Sequence, residues 1–267
     1  MAHRHTHALN INTFDGDDPA SRTKMPPAKD SLILGADSNV RADTVLQNNL
    51  SLYEWVMRNK QQPDFFGRYI NGKNRLTTAE IDYLHDRVCR IALMYSPTTE
   101  CITEMQGMVD ASSAVKAAED LFIPTGNTLF AVLDEESVKP TAEYMRGYVK
   151  MLQERGYRAG FVANTDAKSA GFDREFSRGR RSEPEIFDNV AIWAIAPLLG
   201  EYHRTTTSHL IHPDSFAPFA PSGKKVRETA VWRYGDECHP IDDLYGKEVT
   251  FNVDLINNVR VINECFY

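Results

Sequence analysis

The chain has 267 residues and a formal net charge of −7 at pH 7, a length that suits one large domain with a single core. The acidic balance argues against wholesale binding of nucleic acid, although local basic patches can exist within an acidic total. No apolar stretch is long enough to predict a membrane span, and Met1–Asn10 lacks the apolar core of a secretory signal, so any export is expected to use another route or a trimmed precursor.

Residues 1–29 mix His, Asp, Pro and Thr without apolar periodicity and are predicted to form a flexible N-terminal tail. His3, His5 and His7 alternate within this segment, and a solvated polar tail accounts for them better than a metal site. Residues 30–267 are then expected to form one barrel domain, for which no metal and no cofactor are predicted.

From Leu32 onward, short apolar runs alternate with amphipathic stretches. Strand-like composition is shared by eight runs: Leu32–Asp37, Phe65–Ile70, Ile91–Tyr95, Leu129–Leu133, Arg158–Ala163, Val190–Ile195, Ala230–Tyr234 and Asn252–Ile256. The amphipathic stretches include Thr44–Asn59, Thr77–Val88, Ala114–Leu121 and Thr141–Arg155. This regular alternation predicts an α/β fold, a single TIM-like (β/α)8 barrel of parallel strands with reactive groups at their carboxyl ends. An open doubly wound sheet is the alternative architecture.

The run Leu129–Leu133 ends in three carboxylates, Asp134, Glu135 and Glu136. Successive side chains of an extended chain point to opposite faces, so Asp134 and Glu136 are expected to share one face. Crowding of like charges raises the proton affinity of one carboxyl group beside an ionised partner, which is the pairing that glycoside cleavage requires. The alternative is an acidic turn ahead of a helix that starts near Pro140, where carboxylates favour the helix dipole.

Further polar residues stand at or near predicted strand ends. Asp37 and Asp254 are interpreted either as parts of an acidic floor below the two carboxylates or as ordinary strand-end caps. Arg68 lies on a strand of apolar and aromatic residues and either pairs with this floor or holds an anionic group of a substrate. Pairing is favoured, because an unmatched buried charge is costly.

Four aromatic residues are candidate stacking walls for sugar rings: Tyr95, Trp193, Trp232 and Tyr234. Core packing is the alternative role of each, and Trp193 and Tyr234 are the stronger candidates because they stand at strand ends.

The polar connections and the cysteines leave alternatives open. His203, His209 and His212 lie in a long connection between Leu199 and Glu228, where they are either solvated or part of a binding loop. A basic group is interpreted as solvated surface, with contact to anionic cell-wall polymers as the alternative: Arg174, Arg178, Arg180 and Arg181. Four cysteines are either buried thiols or disulfides: Cys89, Cys101, Cys238 and Cys265.

The order of the strand-end residues resembles that of the family 25 glycoside hydrolases, the Chalaropsis-type lysozymes. Those barrels carry an early Asp-Ser, a central Asp-x-Glu, a late Trp/Gln-Tyr and a final Asp-Leu-Asn, and here Ile256 replaces the last Asn. A closer resemblance is to the related glycoside-hydrolase-like barrels of uncertain activity. It is carried by Phe66-Gly67-Arg68-Tyr69-Ile70, by Leu76-Thr77-Thr78-Ala79-Glu80 and by Ile123-Pro124-Thr125-Gly126-Asn127-Thr128. Together these motifs cover roughly Leu32 to Ile256.

The resemblance implies hydrolysis of a β-linked amino-sugar polymer, foremost peptidoglycan at the muramic acid side. It assigns Glu136 as the general acid and Asp134 as the carboxylate that stabilises the oxocarbenium or orients the acetamido group, so that the substrate supplies its own nucleophile. A non-catalytic glycan-binding or structural barrel is the alternative, motivated by Ile256, and a chitin-like or other exopolysaccharide is the alternative substrate. The oligomeric state is left open.

Overall fold

The computed structural model describes residues 32–46, 49–59, 62–133, 139–168, 171–204, 212–240 and 249–267. Eight strands in this part form one closed barrel in which consecutive strands are neighbours. The strands are β1 (Ile33–Ser38), β2 (Phe65–Tyr69), β3 (Arg90–Tyr95), β4 (Thr128–Val132), β5 (Arg158–Ala163), β6 (Ala191–Ala194), β7 (Val231–Cys238) and β8 (Phe251–Ile256). The predicted α/β class and TIM-like barrel are therefore confirmed. The tail predicted for residues 1–29 lies outside the described residues.

Helices lie between most of the parallel strands. Within the described residues they are α1 (Leu52–Asn59), α2 (Thr78–His85), α3 (Glu104–Asp120), α4 (Ala142–Glu154), α5 (Gly171–Ser182), α6 (Pro184–Phe187) and α7 (Val259–Cys265). No helix in this part of the chain is long and apolar enough to cross a membrane.

One strand corrects the prediction of a fully parallel barrel. Strands β1 to β7 pair in parallel, whereas β8 runs antiparallel to both β7 and β1. A parallel return requires a crossover, usually helical. The sequence predicts no helix after Arg155, yet β5, β6 and β7 still pair in parallel, so the lack of a predicted helix does not identify the antiparallel strand. Apolar alternation identifies a strand but not its direction.

Capping residues, rather than the start of the amphipathic pattern, decide where two helices begin. Helix α1 starts at Leu52 instead of Thr44, because the Ser51 side chain accepts from the Glu54 backbone N–H at 3.0 Å. Helix α3 starts well before Ala114, because Thr103 forms a capping box with Gln106.

The barrel interior is apolar at the amino-terminal mouth. Its buried cluster includes Ile33, Phe65, Phe130, Val231 and Ile256, together with residues of the C-terminal segment. Helix α7 closes this mouth: Ile262 belongs to the interior cluster, and the Phe266 ring lies 4.9 Å from that of Phe65. Any site inside the barrel must therefore open at the opposite, carboxyl-terminal mouth, as is usual for barrels of this kind.

All four cysteines of the chain are free thiols, and three of them are buried. This outcome selects buried thiols over disulfides. Burial raises the pKa of the Cys89 thiol well above its ordinary value and also raises that of Cys265, so neither has the thiolate character of a reactive cysteine.

Candidate active site

The barrel interior becomes polar toward its carboxyl-terminal mouth. Five buried or partly buried side chains from four strands meet there: Asp37 of β1, Trp193 of β6, Arg233 of β7, and Asn252 and Asp254 of β8. We call these five residues the polar floor. The floor lies above the apolar layer, since Val231 is two residues before Arg233 and Ile256 is two residues after Asp254 on the same inward faces.

Asp37 is the most firmly held carboxylate of the floor. Its Oδ2 lies 3.0 Å from Nε and 2.9 Å from Nη2 of Arg233, and its Oδ1 accepts a hydrogen bond of 2.9 Å from Asn252 Nδ2. The side chain is 1% exposed. Both oxygens are thus engaged by protein groups, and the negative charge has a buried counter-charge.

Asp254 lies beside this pair without an equally close cation. Its Oδ1 accepts a hydrogen bond of 2.9 Å from Trp193 Nε1 and lies 4.0 Å from Arg233 Nε. Burial, and next the negative charge of Asp37, raise the pKa of Asp254 well above its usual range, and together they outweigh Arg233 and the Trp193 hydrogen bond. One guanidinium faces two carboxyl groups, and the direction of the pKa shift favours the protonated form of Asp254.

The position of Asp254 corrects its predicted place at a carboxyl-terminal strand end. Because β8 runs antiparallel, Asn252 is opposite Asp37 and Asp254 is opposite Gly35, one inward step deeper in the barrel. Asp254 belongs to the polar floor and lies below the mouth instead of at its rim. Its predicted role beneath Asp134 and Glu136 stays a prediction, because those two residues lie outside the described residues.

Gly67 on β2 provides the space that the floor occupies. A Cβ atom at this position would lie 2.6 Å from the Cβ of Asp37 and 2.7 Å from Cη2 of Trp193. Both distances are far below van der Waals contact, so only glycine allows this carboxylate and this indole to approach the strand. Packing of the floor therefore explains why the second residue of the Phe-Gly-Arg-Tyr-Ile motif is a glycine.

The two predicted catalytic carboxylates, Asp134 and Glu136, lie outside the described residues. The strand that precedes them, β4, ends at Val132, and the description of the chain resumes at Lys139. Phe130 and Val132 belong to the interior cluster, which fixes the inward face of β4. The shared pocket for Asp134 and Glu136 stays a prediction.

Arg68 has a carboxylate partner, but from a helix and not from the floor. Its Nε lies 2.6 Å from Oε1 of Glu80 on α2, and both side chains are fully buried. The remaining guanidinium nitrogens donate to the backbone carbonyls of Ser38 at 2.5 Å and Asn74 at 2.7 Å. Glu80 also accepts from the Ala42 backbone N–H at 2.7 Å. Arg68 and Glu80 thus connect the ends of β1 and β2 to α2. These contacts engage the guanidinium group within the protein, so they do not support the predicted contact of Arg68 with a substrate.

The four predicted stacking residues are all buried, with exposed fractions between 0% and 2%. Only Trp193 belongs to the polar floor. Tyr95 packs outside the barrel, where its hydroxyl lies 3.5 Å from Asp110, and Trp232 donates its indole N–H to the Pro197 carbonyl at 3.0 Å. Tyr234 packs against Tyr202 in the outer core. Contacts of these rings with a sugar stay predictions, since the described conformation presents none of their faces to solvent.

The basic group of residues lies on α5, a helix that the sequence did not predict. Arg178 pairs with Glu143 at 2.6 Å and Glu175 at 2.7 Å, and Arg180 pairs with Asp188 at 2.6 Å. These ion pairs favour the interpretation as a solvated, charge-balanced surface. His203 pairs with Asp236, whereas His209 lies outside the described residues.

A cleft of about 940 Å³ opens between the connections that follow β3, β4 and β5. It is lined by residues 97–100 and 102 after β3, by residues 139–141 after β4, and by residues 171, 174 and 175 in the first turns of α5. We call it the loop cleft. Its volume lies in the range of ligand sites, and it belongs to the mouth at which barrels of this kind bind their ligands.

Sequence analysis missed two residues of the floor, Arg233 and Asn252. Arg233 follows the inward-facing Val231 by two positions, so strict alternation already placed a charged side chain inside the barrel. The direction of β8 had to be known before Asn252 could be placed opposite Asp37.

Comparisons with known proteins agree with this architecture. The family model of the Rv2525c-like, glycoside hydrolase-like domain matches residues 58–235. An uncharacterized protein of B. stearothermophilus, known from a crystal structure, superposes with a TM-score of 0.71 at 22% identity, over 88% of this chain and 100% of that one. No curated protein matches the chain.

Two further solved structures align at lower similarity. The modular autolysin LytC from Streptococcus pneumoniae, in complex with a synthetic peptidoglycan ligand, has a TM-score of 0.48 and 10% identity, covering 84% of this chain and 46% of that one. The catalytic domain of endolysin ply40 from bacteriophage P40 of Listeria monocytogenes has a TM-score of 0.48 and 13% identity, covering 87% and 96%.

Proposed function

Because this chain belongs to the family of Rv2525c-like, glycoside hydrolase-like domains, we propose that it hydrolyses a β-linked amino-sugar polymer, namely peptidoglycan, with muramidase-like bond specificity. The observation that carries the proposal is the placement of β4 in the barrel, because its inward face leads at the carboxyl-terminal mouth to the sequence Asp134-Glu135-Glu136. Glycosidases use a pair of carboxyl groups in which one member is the acid and the other is ionised.

Glu136 is the proposed general acid, and Asp134 is the proposed stabilising carboxylate. Phe130 and Val132 define the inward face of β4, and the same period of two continued along an extended chain brings positions 134 and 136 to that face. Placed side by side at the mouth, the two groups would compete for ionisation, which favours a proton on one of them.

In the proposed reaction, Glu136 donates its proton to the glycosidic oxygen while the bond from that oxygen to the anomeric carbon breaks. The acetamido oxygen of the substrate bonds to the anomeric carbon, and Asp134 stabilises the positive charge of the resulting ring. Water then attacks the anomeric carbon, the acetamido group is restored, and the water proton returns to Glu136. The products are a reducing end and a free hydroxyl group.

The test is the release of reducing ends from purified cell walls by the whole chain and by two variants. Glu136→Gln keeps the shape of the side chain and removes its acid, so we expect a loss of about 10²- to 10⁴-fold in kcat. Glu135→Gln is the matched control, because its position alternates to the other face and its rate is expected to stay near that of the parent. Equal activity of Glu136→Gln and the parent would overturn the assignment.

A second candidate is a barrel that binds glycan without cleaving it. The observation that favours it is the engagement of both Asp37 oxygens by Arg233 and Asn252, together with the burial of the predicted stacking rings. Co-sedimentation with insoluble peptidoglycan, in the absence of any reducing ends, would support this candidate. A panel containing chitin-like polymers and other exopolysaccharides tests the alternative substrates in the same assay.

A further inference from the structure

The lining of the loop cleft differs from that of a sugar-stacking site. Among the described residues that line it, none is aromatic, although aromatic rings are the usual large contacts of ligand sites. Its apolar side chains are aliphatic: Ile102, which is 47% exposed, the half-buried Pro97 and the buried Pro140. Aliphatic surfaces of this kind suit methyl groups better than the face of a pyranose ring.

The cleft also presents charges of both signs. Lys139 and Glu100 are exposed and form no ion pair within the described part of the chain. Among the described residues, Arg174 is bound only through Nε, 3.1 Å from Glu175 Oε1, and its side chain is 78% exposed. Its two terminal nitrogens therefore remain available for a bidentate contact with a carboxylate, which is the contact that guanidinium groups form best.

The wall that carries Glu100 is rigidly built. Asp110 of α3 is fully buried, and its carboxylate accepts from the Thr98 backbone N–H at 2.9 Å, from Thr98 Oγ1 at 2.8 Å and from Thr99 Oγ1 at 2.7 Å. The Tyr144 hydroxyl adds a fourth hydrogen bond of 3.1 Å from α4. This buried network fixes the connection after β3 against two helices, so this wall of the cleft is preorganised and loses little ordering entropy on binding.

We infer that the loop cleft binds the peptide part of a peptide-bearing glycan: a short peptide with free carboxylates, small aliphatic side chains and an ammonium group. Lys139 and Arg174 hold a carboxylate, Glu100 holds the ammonium group, and Ile102 with Pro97 contacts the aliphatic side chains. The choice of ligand rests on the proposed function, and it narrows the substrate to glycan strands that still carry their peptides.

The direct test is binding of the synthetic tripeptide L-alanyl-γ-D-glutamyl-L-lysine to the whole chain, measured by calorimetry. The double variant Lys139→Ala/Arg174→Ala is expected to weaken binding about tenfold or more, since charge-assisted hydrogen bonds are lost. Lys116→Ala is the matched control, because Lys116 is an exposed lysine of α3 that does not line the cleft. A tripeptide with amidated carboxylates is expected to bind the parent as weakly as the free tripeptide binds the double variant.

Failure to bind the tripeptide, or equal binding by the parent and the double variant, would overturn the inference. Hydrolysis supplies the second readout: the double variant should have a raised KM on intact peptidoglycan and an unchanged KM on glycan from which an amidase has removed the peptides. Tripeptide binding without hydrolysis of either polymer would refute the proposed function and leave the cleft inference standing. Equal hydrolysis of both polymers without tripeptide binding would refute the cleft inference and leave the proposed function standing.

Discussion

Three successive turns from helix to strand share one backbone geometry but not one residue type. Each has a residue with positive φ after the helix: Val88 (58°), Phe122 (57°) and Gly156 (78°). In each, the next backbone N–H bonds back to a carbonyl five residues earlier: Cys89 to Leu84 at 3.0 Å, Ile123 to Ala118 at 3.0 Å and Tyr157 to Leu152 at 2.9 Å. This is the Schellman motif, which favours glycine at the positive-φ position.

Replacing Val88 and Phe122 by glycine should therefore stabilise the protein. A left-handed conformation costs a residue with a Cβ atom roughly 1–2 kcal/mol, while the greater freedom of glycine in the unfolded chain costs about 0.4–1 kcal/mol. Little apolar burial is lost, because the two side chains are 82% and 83% exposed. The expected gain is about 0.5–1 kcal/mol for each substitution, by the same two terms.

The reverse substitution tests the same reasoning at the third turn. In Gly156→Ala the new Cβ would meet only the Thr125 side chain, at 3.4 Å, so the backbone conformation alone should lower the free energy of unfolding, by about 1 kcal/mol.

Urea unfolding followed by circular dichroism measures all of these changes. Val88→Ala and Phe122→Ala remove most of the side chain but keep the Cβ atom, so they are the controls for lost contacts. If the glycine variants are no more stable than the alanine variants, positive φ is not the source of strain and the argument is wrong.

Three more predictions concern the buried groups. Asp254→Asn should gain stability relative to the parent as pH rises above about 3.9, the ordinary pKa of an unfolded aspartate. Because the pKa of Asp254 is raised in the folded state, the folded parent keeps a proton that the unfolded chain loses, and the parent loses stability until the pH passes the folded-state pKa; parallel pH profiles of the two proteins would contradict this. Glu80→Gln should lower the free energy of unfolding by about 3–5 kcal/mol, because Arg68 then keeps a buried charge without a counter-charge. The double variant Arg68→Met/Glu80→Leu removes both charges and should recover much of this loss. Gly67→Ala should cost about 1–3 kcal/mol through overpacking of the floor, whereas Gly200→Ala, whose Cβ meets nothing within 4 Å, should be nearly neutral in the same urea titration.

The strands could be predicted from the sequence because their burial is nearly uniform. Arg158–Ala163 has the predicted bounds, and β4 differs from its prediction by one residue at each end. Strands that are covered on both faces appear as short apolar runs between polar connections, which is the pattern of a parallel barrel. Helix α5 was missed because its mean composition is strongly polar: Phe172 and Phe176, one turn apart, supply most of its buried surface.

The floor was only partly predictable because it depends on long-range pairing. Asp37 and Arg233 are 196 residues apart, and Asp37 and Asn252 are 215 apart. Strand alternation shows which side chain faces inward, but not which other strand supplies its partner. Arg68 differs from the floor, because its partner Glu80 is only 12 residues away and lies in the Leu76-Thr77-Thr78-Ala79-Glu80 motif. The expectation that a buried arginine needs a carboxylate partner did not show whether that partner would come from α2 or from the floor.

The charge balance of the floor limits what it contributes to the proposed chemistry. Arg233 compensates Asp37, and the raised pKa of Asp254 favours its neutral form, so these three groups add little net charge beneath the mouth. A nearly neutral floor cannot by itself raise the proton affinity of Glu136. In the proposed mechanism that affinity must come from the adjacent Asp134 and from exclusion of water by the bound polymer. In this proposal Glu136 is therefore poised by Asp134, two residues before it in the sequence, and not by the floor.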